Sequence, residues 1–373
     1  MVSTRDLQKA NHNQQRYLRT VLSNLKVPPQ TPIHVVFIFL LALTHSLINP
    51  QPYHHLITTM SSPSPWLSGT HSGHVSVDGI HIFLSASGPA RQTINNTLQP
   101  AVIIEAGLGS SHSEWVVVQR LIAERARVYT YDRAGYGLSG MSLREPTAQN
   151  RVYELSRTLE VAGIEPPYVL VGQSYGGVLI REFLRVHTKS KVAGMVIVDS
   201  WREPNPLPSG WFSLMGGVEL DVVLGLDLDH AFSAEEYQRV KEDEKRNEAM
   251  FGVEEGFVAR SMEMVNDGLP VGFQAMGDGR LSVVFGNRSM DFRKVLEFGV
   301  ANGYGTEEVR ESLAKRFETM ERVDEESQRD HLGLSSQSRF VYAQGKAMTH
   351  NVHYVAPELI CDEVFWVLGL TDR

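Results

Sequence analysis

The densest chemistry in the chain lies in Val169-Leu170-Val171-Gly172-Gln173-Ser174-Tyr175-Gly176-Gly177. An apolar run leads straight into G-x-S-x-G and then into residues that can open a helix. A serine hydroxyl is a weak nucleophile until it is projected from the backbone and given a base. A sharp strand-to-helix turn does the projecting, and side chains at positions 172 or 176 would collide with the neighbouring strand or helix. An ordinary turn with Ser174 as a helix cap would need neither glycine. The chemistry this pattern points to is acyl transfer with Ser174 as nucleophile.

Acyl transfer also needs donors for the charge that develops on the carbonyl oxygen. Val102-Ile103-Ile104-Glu105-Ala106-Gly107-Leu108-Gly109 ends an apolar run in a glycine-rich turn, and by position the N–H groups of Leu108 and Tyr175 are the expected oxyanion donors. The two glycines could equally serve a tight turn. A base must take the serine proton, and imidazole suits that task near neutral pH. Two histidines qualify in Met348-Thr349-His350-Asn351-Val352-His353, which follows the last strand-like run. His71, His74, His187 and His331 read as surface or packing residues. The acid that orients the base lies between Asp199 and Asp291. Asp199 is preferred, because it leaves the run 195–198 at the sheet edge from which Ser174 also leaves its strand. Its structural alternative is to cap the loop into Ser200 and Trp201.

These residues need a scaffold that brings distant segments to one edge. Residues 73–87 alternate around Asp78-Gly79, a hairpin pattern. Apolar runs at 101–104, 128–131, 168–171 and 195–198 then alternate with helical stretches at 114–125, 150–162 and 176–187. That rhythm predicts an α/β fold with a mostly parallel sheet covered on both faces. It breaks between Trp201 and Arg280 into a Met-, Gly- and charge-rich region, with a helix-like stretch at 234–248, and an inserted helical cap is the natural reading. Strands resume at 281–285 and 339–343, separated by a helical stretch at 306–323, and Pro357 opens the last helix. The expected organisation is an N-terminal segment 1–69, a core 70–202, a cap 203–279 and a second core part 280–373.

From Thr70 onward the chain resembles the α/β-hydrolase family. The resemblance rests on Glu105 to Gly109, Tyr131-Asp132-Arg133-Ala134-Gly135-Tyr136-Gly137-Leu138-Ser139, Gly172 to Gly177, and His350 followed by Pro357. It implies an eight-stranded, mostly parallel sheet, a cap after the sixth strand, and the order serine, acid, histidine. The spacing from histidine to proline implied by the family favours His350 over His353. Many members carry the acid three residues past a glycine after the seventh strand. Here Gly286 is followed at that spacing by Ser289, with Asp291 two residues later, so the acid stays open. Glu105 stands where many relatives carry His-Gly, and the 132–139 stretch reads as a structural loop. A serine at 174 disfavours the alkyl-transfer chemistry of dehalogenases and epoxide hydrolases. The expected activity is that of a serine hydrolase of carboxylic ester type, without metal or organic cofactor. An acyltransferase and a non-catalytic ligand-binding receptor are the alternatives. Trp211, Phe212, Leu214, Met215, Phe251, Phe257, Met262, Met264 and Phe273 in the cap raise the expectation of an apolar ester substrate.

Length and composition fit this picture without specifying it. The 373 residues can bury a full core, and 42% hydrophobic with 21% charged residues is ordinary for a globular enzyme. A net charge of −8 argues against a nucleic-acid partner. The single cysteine, Cys361, excludes an internal disulfide and lies in an apolar helical run where it packs. Before the body, a basic stretch with Arg5, Lys9, Arg16, Arg19 and Lys26 precedes an apolar run at 35–43. Extended to Ile33 and Ile48, that run covers roughly 24 Å as a helix, against a hydrocarbon core of roughly 30 Å. A single-pass anchor with the body on the non-cytoplasmic side, a peripheral membrane contact and an apolar helix lying on the body are the readings of this run. The sequons at Asn95 and Asn287 are compatible with the first. A linker rich in proline and serine, 51–69, follows.

Overall fold

The computed structural model of the protein describes residues 64–370. Its centre is one eight-stranded sheet: β1 (His71–Val77), β2 (Ile80–Ser87), β3 (Ala101–Glu105), β4 (Val128–Tyr131), β5 (Tyr168–Gln173), β6 (Val192–Val198), β7 (Arg280–Phe285) and β8 (Ser338–Tyr342). The spatial order is β1-β2-β4-β3-β5-β6-β7-β8. β1 and β2 form an antiparallel hairpin and β2 runs antiparallel to β4; the other neighbours are parallel. Every residue of β3, β4 and β5 is buried, as strands covered on both faces require.

Alternation along the strands sends side chains to two cores. Tyr168 and Leu170 of β5 pack with Leu155 of α2 (Ala148–Ala162) and Phe183 of α3 (Tyr175–Lys191). Val169 and Val171 point the other way, toward Trp115, Val118 of α1 (Val116–Ile122), and Ile360 and Val364 of the C-terminal helix. Each such fully buried side chain contributes roughly 1.5–3 kcal/mol relative to exposure. Because β3 pairs with β4 on one side and β5 on the other, the chain reverses its direction of travel across the sheet there. A crevice opens at the carboxyl ends of the strands at such a point.

Two segments lie outside the sheet. Between β6 and β7 come a short helix α4 (Leu220–Leu224) and the long α5 (Ala234–Gly268), which starts at a capping box formed by Ser233 and Glu236. Between β7 and β8 come α6 (Ser289–Asn302) and α7 (Glu307–Arg329). The two share a third apolar cluster that includes Leu214, Leu224, Val240, Val295, Leu313 and Phe317. The helix expected at 234–248 therefore continues twenty residues further. After β8 the chain turns through α8 (Val352–Val355) into α9 (Pro357–Leu368), where Cys361 is buried and its thiol is pushed up to about 12 by that burial.

One expectation is corrected. Among the described residues no helix is long and apolar enough to cross a membrane. The 33–48 run on which a single-pass anchor or membrane contact rested, short of a hydrocarbon core to begin with, lies outside them. The anchored, non-cytoplasmic placement is therefore withdrawn. The Asn287 sequon offers it no support either: that side chain is buried and its Oδ1 accepts from Ser289 Oγ at 2.6 Å, whereas Asn95 sits on an exposed turn.

Candidate active site

Ser174 leaves β5 at φ 53° and ψ −123° and α3 begins at the next residue. A Cβ on Gly172 would collide with the backbone of Gly176, and one on Gly176 with the backbone carbonyls of Glu105 and Ala106, so the turn closes only with glycine at both positions. Strand pairing sets the neighbours. Glu105 at the end of β3 is level with Gly172, and Val198 at the end of β6 is level with Gln173. The turn 107–109 and Asp199 therefore emerge on either side of Ser174. Tyr175 is the first residue of α3, so its N–H has no acceptor one turn back in the helix. Gly107, Leu108, Gly109, Ser174 and His350 all line one cavity of about 960 Å³.

His350 Nδ1 lies 2.8 Å from Asp199 Oδ2. The other Asp199 oxygen accepts from the Gly286 N–H at 3.0 Å and from Gln328 Nε2 at 2.9 Å. Burial alone would raise this carboxyl, but the bonds from His350 and Gln328, with the nearby Arg288, outweigh it and hold Asp199 below the usual carboxylate range. Asp291 is held differently. Its Oδ2 accepts from the backbone N–H of His350 at 2.7 Å and from Thr349 Oγ1 at 3.0 Å, and burial pushes it up to about 6. Asp291 thus braces the loop, while Asp199 meets the ring. The ring also stacks on Trp201, with centroids 5.3 Å apart.

The second ring nitrogen is fixed by Gln173. Its Nε2 donates to the His350 carbonyl oxygen at 3.0 Å and lies 3.1 Å from His350 Nε2. A carbonyl only accepts, so the amide nitrogen must face His350, and the ring Nε2 must then be the accepting atom. The ring proton sits on Nδ1, toward Asp199, which is the tautomer a general base requires. His353 is placed elsewhere: buried, stacked on Trp115 at 4.6 Å, with Nε2 3.5 Å from Glu114. His331 is buried against the Ser200 carbonyl at 3.0 Å, and desolvation drives it far below the ordinary imidazole range.

Several contacts around the site could not be read from the sequence. Glu105 is buried and binds Arg133 at 3.0 Å and the Tyr131 hydroxyl. Arg133 also reaches Glu254 of α5 at 3.1 Å, and Glu254 binds Arg151 at 2.7 Å. Asn247 of the same helix donates to the Gly109 carbonyl and accepts from the Gly137 N–H, both at 2.8 Å. These bonds fasten α5 over the 107–109 turn and the 132–139 loop. Within that loop buried Asp132 accepts from the N–H groups of His112 and Leu138, a structural arrangement. Among the described residues no group of three His, Cys, Asp or Glu is arranged to hold a metal ion.

Glu254 makes this fastening testable. Burial would raise its carboxyl, but Arg133 and Arg151 more than compensate and hold it below its ordinary value. Glu254→Gln leaves two buried guanidinium groups without their shared carboxylate and is expected to cost about 3–5 kcal/mol at pH 7. A depressed carboxyl stabilises the fold above its unfolded pKa of about 4.3 and loses that contribution as pH falls through the folded value. The gap between parent and variant in denaturant melts should therefore narrow in acid. A gap that is pH-independent would mean that charge pairing is not what Glu254 supplies.

A family model described as alpha/beta hydrolase fold matches residues 100–232. An "AB hydrolase superfamily protein" of Gibberella zeae is 33% identical over 305 residues, covering 78% of this chain and 91% of that protein. "Probable transporter efuK" of Hormonema carpetanum is 31% identical over 322 residues, covering 83% of this chain, which spans 44% of that protein's length. Among solved structures, a serine hydrolase involved in carbazole degradation superposes with a TM-score of 0.54 at 15% identity, covering 81% of this chain and all of that one. Cfl2 of Burkholderia cenocepacia superposes with a TM-score of 0.52 at 16% identity, covering 80% and 96%. The sheet order, the turn at Ser174 and an extended relative at this identity lead to one conclusion: the chain belongs to the α/β-hydrolase family.

Proposed function

We propose that the protein hydrolyses an ester or related acyl bond through a serine acyl-enzyme. Ser174 Oγ attacks the carbonyl carbon while His350 Nε2 takes its proton, and the oxyanion is held by the N–H groups of Leu108 and Tyr175. The carbonyl re-forms, the bond to the leaving group breaks, and His350 returns the proton to that group. Water then repeats the sequence on the acyl-enzyme and releases the acid. Asp199 keeps the imidazole in orientation and stabilises the imidazolium.

The observation that carries this reading is the 2.8 Å bond between His350 Nδ1 and Asp199, with Nε2 left as acceptor in the cavity that Ser174 lines. In the resting protein that acceptor is met by the Gln173 amide. Exchanging it for the Ser174 hydroxyl trades one neutral hydrogen bond for another, so the net cost is a fraction of the roughly 1 kcal/mol such a bond contributes. Incubation with a fluorophosphonate should add one adduct, located by mass spectrometry on the peptide containing Ser174. No adduct, or an adduct on another residue, would refute the serine mechanism.

A further inference from the structure

The cavity at Ser174 and His350 is lined by the apolar Leu108, Leu220 and Phe251 and, beside them, by an excess of acidic side chains. Lys241 Nζ lies 3.1 Å from Glu219, 3.2 Å from Asp221 and 2.5 Å from Glu244, so three carboxylates share one ammonium. Glu114 also lines the cavity and accepts from Ser110 Oγ at 2.6 Å. Its neighbour His353 does not offset it, because burial lowers that imidazole's pKa and keeps it neutral. Glu242, Lys245 and Glu248, all exposed, complete the charged lining. The lining thus holds six carboxylates and two ammonium groups, and no arginine. Burial first, and then the charge of Asp221, push the Glu244 carboxyl up to about 7, so that it is fully ionised only above neutral pH.

The aromatic and thioether side chains expected to roof an apolar pocket are mostly elsewhere. Of the nine named from the sequence, Phe251 alone lines the cavity. Leu214 and Met262 are buried in separate packing clusters, while Phe212 and Phe273 face solvent. Tyr354, whose hydroxyl lies 3.4 Å from Glu244, also lines the cavity.

We infer that the substrate carries a positively charged ammonium group on the part that lies against α4 and α5. The inference rests on reading this cavity as the acyl-transfer site. A cleft with an excess of one sign of charge concentrates the opposite charge and can raise encounter rates by roughly 10–10³.

The test is an isosteric pair: acetylthiocholine, with a trimethylammonium group, and 3,3-dimethylbutyl thioacetate, in which carbon replaces the charged nitrogen. The expected ratio of kcat/KM, cationic over neutral, is on the order of 10 at low salt, falling toward unity as salt shortens the Debye length. Assayed at about pH 8, above the Glu244 value, Glu244→Gln should lower the ratio several-fold, and so, to a smaller extent, should Glu248→Gln, whose exposed position spares the fold. A ratio near or below one, or one indifferent to salt and to both substitutions, overturns the inference while turnover of the neutral ester upholds acyl hydrolysis. If neither thioester reacts although a fluorophosphonate labels Ser174, the charge assignment fails alone. If Ser174 is not labelled, the acyl-transfer reading fails and this inference with it.

Discussion

Ser174→Ala is expected to lower kcat on ester substrates by on the order of 10⁵–10⁶ while the thermal midpoint stays put. The hydroxyl is the attacking atom in the proposed mechanism, and no other group in the cavity sits on a turn built to present it. The fold loses little. Ser174 makes no side-chain cap bond to α3, and alanine meets the same backbone demand at φ 53° that serine does. A stability change within about 0.5 kcal/mol is the expectation for such a substitution. His350→Ala should fall to a similar floor, and the double variant should fall no further, because nucleophile and base act as one unit. Turnover of Ser174→Ala within a hundredfold of the parent would end the assignment, and multiplicative losses in the double variant would mean the two residues do not work together.

Asp199→Asn is expected to cost on the order of 10⁴ in kcat, and Asp291→Asn less than about tenfold. The difference follows from what each carboxylate touches. Asp199 Oδ1 accepts two donors, the Gly286 N–H and the Gln328 amide, while Oδ2 faces His350 Nδ1. An asparagine there must keep its oxygen toward the two fixed donors. Its NH2 then points at Nδ1, which has to become the acceptor, and the ring proton moves to Nε2. A base protonated on Nε2 cannot take the serine proton. At position 291 an asparagine oxygen can still accept from the His350 N–H and from Thr349, so the loop keeps its brace. Asp199 is also the carboxyl held below the usual range, able to stabilise imidazolium, whereas Asp291 is pushed up to about 6. Steady-state kinetics on both variants decides the matter: a large loss for Asp291→Asn with a small one for Asp199→Asn would transfer the acid role to Asp291.

The sequence by itself determined the elements whose signal is local. Fully buried strands show as short apolar runs, the Gly172 and Gly176 pair marks a turn too tight for a Cβ, and the 78–79 turn marks a hairpin; all eight strands of the sheet lie where these patterns put them. The helix from Ala234 was legible only to about Glu248, because Gly252 and Gly256 lower its intrinsic propensity, and burial of Glu254, Met262 and Val265 against the core overrides that deficit. Tertiary structure alone decided which groups meet. The acid facing His350 is 151 residues from it in sequence and Gln328 is 129 residues from Asp199, separations over which no periodicity or spacing carries information. The same holds for Glu105, Arg133, Arg151 and Glu254, four charged residues far apart along the chain that are buried together once α5 folds over the sheet edge. Cap composition was ambiguous for a related reason. Aromatic and methionine residues announce that a segment packs, but not whether it packs on itself or on the cavity; of those named from the sequence only Phe251 reaches the cavity, beside Leu108, Leu220 and six acidic side chains.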